Sequence, residues 1–157
     1  MTKLSQANAL LLVVTAGMRS QMPLALLALA ARQGRVNVGR GRPWSLLRSP
    51  KMGGILCLSA AGEMIGDKLP VTPSRLEPGP LGGRLVFGAV AGAAVSPGSR
   101  GSRLGGALLG LAGAAAGAYG GYHARSILGQ RTDVPDPFWG MVEDGAAIGI
   151  GSLAVRR

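Results

Sequence analysis

Four of the seven acidic residues lie inside apolar segments, where carboxylates are unusual. Glu63 and Asp67 are four residues apart, which places both on one face of a helix. Glu143 and Asp144 are adjacent in the last apolar segment, and Arg19 interrupts the first one. Ionisable groups in such segments are costly unless they face a partner charge or water, and they often mark ion or substrate pathways.

These residue types predict the binding of an ion or a small solute rather than covalent chemistry. We expect Glu63 and Glu143 to bind a cation or a proton, with Arg19 as their counter-charge or as the partner of an anionic group. His123, whose ordinary pKa is near ~6.5, is suited to relay protons. The predicted cluster for substrate or ion binding comprises Arg19, Glu63, Asp67, Arg84, His123, Arg125, Glu143 and Asp144.

A structural interpretation remains open for the same residues. Several charged residues near the ends of the apolar segments are typical of side chains that extend to a membrane surface. These are Asp67, Lys68, Arg75, Arg84 and Arg125. In this interpretation, the buried ion pairs serve only to fix helix packing, and the basic loop 32–51 binds anionic lipid headgroups. The resulting alternative is a structural or interaction membrane protein.

The composition separates this chain from soluble and nucleic-acid-binding proteins. Only 15% of its 157 residues are charged and 47% are hydrophobic, whereas soluble domains have about 25% charged residues. The net charge of +10 is not accompanied by stacking aromatics, which make up 4% of the chain. RNA-binding modules usually combine the two features, so we expect no nucleic-acid partner.

No known catalytic motif appears in the chain. The glycines lack the context of a phosphate-binding loop, and no metal-protease or nucleophile-elbow pattern is present. The single cysteine, Cys57, excludes an internal disulfide, and no Cys/His cluster predicts a metal site. We therefore expect no enzymatic activity, no metal and no cofactor.

The elements that must position the polar residues are apolar segments of helical length. They predict one all-α integral membrane domain over residues 1–157, a polytopic helical bundle of about five spans. The approximate spans are 4–31, 52–69, 81–96, 104–128 and 138–155. The first is broken between Gly17 and Pro23, because proline removes a backbone donor. We count this broken segment as one membrane crossing, and the alternative is that its two halves form a re-entrant hairpin.

The basic residues indicate an orientation. Loops 32–51 and 97–103 and the C-terminus together hold ten basic residues and no acid. The positive-inside rule makes this side cytoplasmic in a bacterial inner membrane. All seven acids then fall in the outer half. An apolar run at residues 9–16 also fits a signal peptide, but the apolar stretch 24–31 that follows favours a membrane-embedded unit.

Glycines in the fourth segment recur at helical spacing. Such series place small residues on one helix face, where two backbones can approach closely. The predicted packing positions are Gly106, Gly110, Gly113, Gly117 and Gly121. We expect these faces to pack within the chain, and the alternative is that one of them forms a homo-oligomer contact.

Four stretches, taken in order, resemble one family. The motifs are Ala16-Gly17-Met18-Arg19 with Pro23-Leu24, Gly62-Glu63 through Asp67-Lys68-Leu69-Pro70 with Pro73-Ser74-Arg75, Gly120-Gly121-Tyr122-His123 with Arg125, and Val142-Glu143-Asp144. Together they resemble the uncharacterised bacterial membrane-protein family called domain of unknown function 4126. The resemblance covers roughly residues 5–150. It implies a membrane protein with several helices and no particular activity, substrate or cofactor.

Overall fold

The computed structural model describes residues 4–39, 41–69, 72–96 and 102–156, and all the extended regular elements within them are helices. The helices are α1 (Gln6–Met18), α2 (Met22–Arg32), a short 3-10 helix (Trp44–Arg48), α3 (Pro50–Gly66), α4 (Pro78–Val95), α5 (Arg103–Arg131) and α6 (Asp136–Val155). This part of the chain contains no β-strand, which agrees with the predicted all-α class.

Prolines and serines set the helix starts. Proline fits the first turn because its missing N–H has no partner there anyway, and it occupies that turn in α2, α3, α4 and α6. In α1 and α5 a serine performs the capping. The Ser5 hydroxyl accepts the backbone N–H of Asn8, and the Ser102 hydroxyl accepts that of Gly105.

The first apolar segment folds back on itself. Thr15 of α1 and Leu26 of α2 both lie beside Gly151 of α6. Between them, Arg19 lies further along α6, where its guanidinium reaches the carbonyl oxygen of Gly140. The chain therefore runs up to the break at Arg19 and returns. The broken first segment is therefore a helical hairpin, and the number of times it crosses a membrane stays a prediction.

The hairpin follows from the local sequence. Arg19 adopts an extended backbone after α1 ends, and Pro23 starts a new helix rather than continuing the old one. At ~1.5 Å per residue, the 13 residues of α1 and the 11 of α2 are each shorter than a ~30 Å bilayer core. Only α5 among the described helices is long and apolar enough to cross a membrane. The five-span arrangement thus stays a prediction.

Small residues hold the bundle together. A Cβ on Gly110 would overlap the backbone of Gly88, and one on Gly106 would overlap that of Gly92. Gly117 is equally close to the backbone of α1 at Val14. Gly113 also packs on α1, against the side chain of Val13. Four of the five predicted packing glycines therefore lie at contacts within the chain, where they allow helices to approach backbone to backbone.

Large apolar side chains point outward. Leu58 is 76% exposed, Leu104 71% and Ile65 68%. The buried core, by contrast, is rich in alanine, with Ala91, Ala94 and similar positions fully enclosed. Water-soluble monomers rarely expose contiguous apolar patches of more than a few hundred Å². The helices thus keep small residues inside and leave large apolar ones without a partner.

Charge divides the bundle into two ends. The polar end holds all seven acidic residues, together with Arg19, Lys68, Arg75, Arg84, Arg125 and Arg131. The basic end holds the start of α1, both ends of the 33–49 connection, the α4–α5 connection and the end of α6. Its described cations are Arg32, Arg35, Arg42, Arg48, Lys51, Arg103 and Arg156. The basic residues Lys3, Arg40, Arg100 and Arg157 lie outside the described residues, as does most of the predicted 97–103 loop.

Candidate functional site

Arg19 lies at the centre of the polar end and is fully buried. Its Nε donates to Asp144 and its Nη1 to Asp67, each at 2.5 Å. Nη1 also donates to the carbonyl of Met18 at 3.0 Å, and Nη2 to that of Gly140 at 3.5 Å. The hairpin tip is thereby joined to α3 and α6, because one guanidinium bonds to carboxylates on both helices.

Glu143 forms the second centre and is 8% exposed. Arg75, from the α3–α4 connection, donates to both of its carboxylate oxygens in a bidentate pair, with Nη2 to Oε2 at 2.7 Å. Arg19 and Arg125 each place a guanidinium nitrogen 3.9 Å from the same carboxylate. Three arginines from three different elements therefore surround a single buried acid.

The two helix ends of the hairpin are stabilised by opposite charges. Glu63 accepts the backbone N–H groups of Ser20 at 2.8 Å and Gln21 at 3.0 Å, just before α2 begins. Arg84 donates from Nε to the carbonyl of Gly17 at 3.1 Å, where α1 ends. This arrangement matches the helix dipole, since anions are favoured at helix N-termini and cations at C-termini.

Two further pairs extend the network to its edges. Lys68 donates to Asp144, and also to the carbonyl of Met64 at 2.8 Å. Arg125 bonds to both carboxylate oxygens of Asp136, at 2.5 and 2.7 Å. Asp136 precedes the predicted last span, and the hydrogen bonds from Arg125 hold the pKa of this carboxyl below its usual value.

These ten residues form one continuous set of ion pairs, which we call the charge network. Each is within 4.0 Å of an oppositely charged partner, and the pairs share members throughout. It contains five cations and five anions: Arg19, Lys68, Arg75, Arg84 and Arg125 with Glu63, Asp67, Asp136, Glu143 and Asp144. Its formal charge is therefore zero.

Glycines make room for these long side chains. Gly121, the last of the predicted packing series, does not contact a neighbouring helix backbone. A Cβ there would instead lie 2.7 Å from the carboxylate oxygen of Glu143 and 3.0 Å from Arg75. A Cβ on Gly140 would lie 3.4 Å from the guanidinium of Arg125. Gly121 thus gives the Arg75–Glu143 pair space against α5.

The structure brings seven of the eight predicted cluster residues together and leaves His123 out. His123 is exposed on α5, and its ring packs edge to face against Tyr122 with centroids 5.5 Å apart. The reason is helical phase. Gly121 and Arg125 face the network, and a residue two positions from each is rotated by about 200°. The predicted proton relay through His123 therefore has no contact with the network.

Sequence reasoning placed Arg75 and Lys68 at the membrane surface, whereas both belong to the network. Arg75 is 7% exposed although it lies in a connection between helices. A signal was available, because both residues fall within the motifs that carry the family resemblance. Spacing alone did not place Arg75, since a loop residue has no helical phase from which to infer a facing partner.

A polar cavity of about 590 Å³ opens at the polar end above the network. Four network residues, Asp67, Arg75, Arg125 and Asp136, form part of its wall. Thr72, Ser126 and Gln130 add hydroxyl and amide groups. We call this cavity the vestibule. It falls within the ~300–1,000 Å³ range of small-molecule sites, and its charged wall suits a small polar solute.

The carboxylates of the network are already engaged by cationic side chains or by backbone N–H groups. Among the residues that the structure describes, no group of three or more His, Cys, Asp or Glu side chains could hold a metal ion. The carboxylates of the network all face arginine or lysine. Glu63 and Glu143, the predicted cation ligands, already accept hydrogen bonds from backbone N–H groups and from Arg75 respectively.

Comparison with known proteins gives one match. The model of a family described as a domain of unknown function, DUF4126, matches residues 7–156. No curated protein and no solved structure matches the chain. The family match covers nearly the whole chain, includes both ends of the bundle and confirms the resemblance found in the sequence motifs.

Proposed function

The chain belongs to the DUF4126 family, and we propose that it is a small polytopic membrane protein that admits a small polar solute into the vestibule. The charge network is then the closed gate beneath that vestibule. One observation carries this proposal. Asp67, Arg75, Arg125 and Asp136 are part of the vestibule wall and are also members of the charge network.

The membrane location is supported by the outward-facing apolar side chains. Exposing leucine and isoleucine side chains to water is unfavourable, whereas their contact with lipid is favourable. Small residues inside and large ones outside are the arrangement that helix packing in lipid favours. Helix α5 adds a segment of sufficient length and hydropathy to cross the bilayer. By the positive-inside rule, the basic end would face the cytoplasm of a bacterial cell and the polar end the outside.

Gating follows from the neutrality of the network. An incoming charged group must displace one protein partner, because no network charge is left over. The rim pair is the easiest to open, since the side chain of Asp136 is 68% exposed and exposed ion pairs contribute only about 0–1 kcal/mol. Release of Arg125 from Asp136 would weaken the interaction between Arg125 and Glu143. Because Glu143 also interacts with Arg19, the hairpin tip would then be held less firmly.

The second candidate is a scaffold in which the network only fixes helix packing. The equal number of cations and anions favours it, because a fully paired neutral network requires no further ligand. Here the basic loop 32–51 would bind anionic lipid. The scaffold predicts that the network never opens, and the gate predicts that it does.

Thiol labelling separates the two. We would place Ser126→Cys in the vestibule wall and Thr15→Cys beneath the network, each in a Cys57→Ala background, and add a membrane-impermeant thiol reagent to intact cells. The gate predicts that Ser126→Cys is labelled and protected by a transported solute. It also predicts that the rim variant Arg125→Gln increases labelling of Thr15→Cys.

The scaffold predicts that no solute tested protects Ser126→Cys. It also predicts that Thr15→Cys is not labelled, whether or not Arg125→Gln is present. A Leu58→Cys variant, whose side chain faces outward from α3, reports on labelling outside the vestibule. Once a solute is found, Glu63→Gln and Glu143→Gln should reduce its flux. Unchanged flux in both variants would contradict the gate.

A further inference from the structure

A second cavity lies at the opposite end of the bundle and is apolar. Its volume is about 320 Å³, and it is enclosed by the start of α1, the end of α4 and the start of α5. Ala9, Leu10 and Val13 form the α1 wall, Val95 the α4 wall and Leu109 the α5 wall. We call this cavity the acyl groove. It shares no residue with the charge network or the vestibule.

The groove is formed by the same small residues that bring α4 and α5 together. Gly92 and Gly106 line it and are in backbone contact with each other. Beside the close contact between α4 and α5, the α1 residue is Ala9, and its side chain is too small to fill the space between the three helices. Leu10 and Leu109, 46% and 57% exposed, lie on the outer rim. The groove therefore opens sideways between α1 and α5, in the direction in which large apolar side chains face lipid.

The charge at this end decides what the groove can hold. All seven acidic residues lie at the polar end, so no side chain near the groove repels an anion. Arg103 begins α5 within one turn of Gly105 and Gly106, and its guanidinium lies 4.4 Å above the ring of Trp44. The first turn of α5 also holds no acid and presents its positive dipole end.

We propose that the acyl groove binds one chain of an anionic phospholipid, with the headgroup at Arg103 and the start of α5. An apolar slot that opens to the side suits an acyl chain, and a cationic end without acids suits a headgroup that carries a net negative charge. The proposal rests on the membrane location proposed above, but not on the vestibule or on any solute.

Native mass spectrometry of the full-length protein in detergent tests this proposal. Phosphatidylglycerol and phosphatidylcholine with identical acyl chains would be titrated separately. We expect phosphatidylglycerol to be retained at lower concentration than phosphatidylcholine. The Ala9→Phe variant fills the groove and should weaken phosphatidylglycerol retention about tenfold, or ~1.4 kcal/mol. Ala116→Phe is the matched control, because this alanine is exposed on α5 outside the groove, and it should bind as the parent does.

Equal retention of the two lipids, or unchanged retention by Ala9→Phe, would overturn the proposal. If Ala9→Phe does not fold, Leu109→Trp fills the groove from the α5 side and gives the same test. Solute protection of Ser126→Cys is measured independently. Loss of lipid preference with solute protection intact would therefore refute the groove alone, and the reverse result would refute only the gate.

Discussion

Among the residues that the structure describes, the two ends of the bundle hold similar numbers of cations in opposite settings. At the polar end, all five network cations are paired with five acids, and Arg19, Arg75 and Arg84 are buried. At the basic end, Arg42 and Lys51 are exposed, and no acid is near them. Cations of the same chemical type therefore determine internal geometry at one end and are available to external anions at the other.

The largest expected difference between the ends comes from removing Arg19. Arg19→Met leaves the half-buried Asp67 and Asp144 without a cation that is itself fully buried, and breaking such a group typically costs about 3–5 kcal/mol. We expect the free energy of unfolding, measured by SDS titration in micelles, to fall by that amount. Arg42→Met at the basic end should produce no measurable change. Similar losses for both variants would show that the ends do not differ as described.

Backbone packing gives the next largest contrast. A Cβ on Gly17, two residues before Arg19, would overlap the backbone of α5 at Gly117 and its neighbours. We expect Gly17→Ala to lower the free energy of unfolding by about 1–3 kcal/mol through overpacking. Gly54→Ala in α3 near the basic end meets nothing within 4 Å, and it should stabilise the helix by about 0.5–1 kcal/mol. The two changes in the free energy of unfolding have opposite signs, and one series of SDS titrations measures both.

Salt should act on one end only. Raising NaCl from about 50 mM to about 500 mM screens exposed charges strongly and buried pairs much less. Retention of phosphatidylglycerol, which depends on the basic end, should fall several-fold. The free energy of unfolding, to which the buried network contributes, should change little. A parallel decrease in both quantities would indicate that the network is open to solvent.

The smallest expected effect is at the rim of the polar end, where the Arg125–Asp136 pair is partly solvated. The pKa of Asp136 is lowered by Arg125, so the stabilising contribution of the pair is complete above the ordinary value of ~3.9. It is lost as the pH falls through the lower, folded-state pKa. Asp136→Asn should therefore reduce stability by under ~1 kcal/mol at pH 7. The difference from the parent should vanish well below pH 4.

The sequence by itself determined the helical class, the glycine positions available for close packing and the separation of charge. These follow from local properties: hydropathy over helical lengths, four-residue spacing on one face, and the position of each acid along the chain. Pro23 predicted the break in the first apolar segment between Gly17 and Pro23. Periodicity also placed Glu63 and Asp67 on one face of α3, where both point towards the hairpin tip.

Only the tertiary structure decided which residues meet. Whether the first segment crosses once or returns depends on contacts with α6, which no local pattern encodes. Arg75 lies in a connection, and its burial against Glu143 depends on how α3 and α4 are packed. His123 is excluded by the rotation that packing imposes on α5, where Gly121 and Arg125 take the inner face. Pairs of residues far apart in the sequence are set by how all the helices pack together. The position of a side chain along its own helix leaves several neighbouring helices as possible partners.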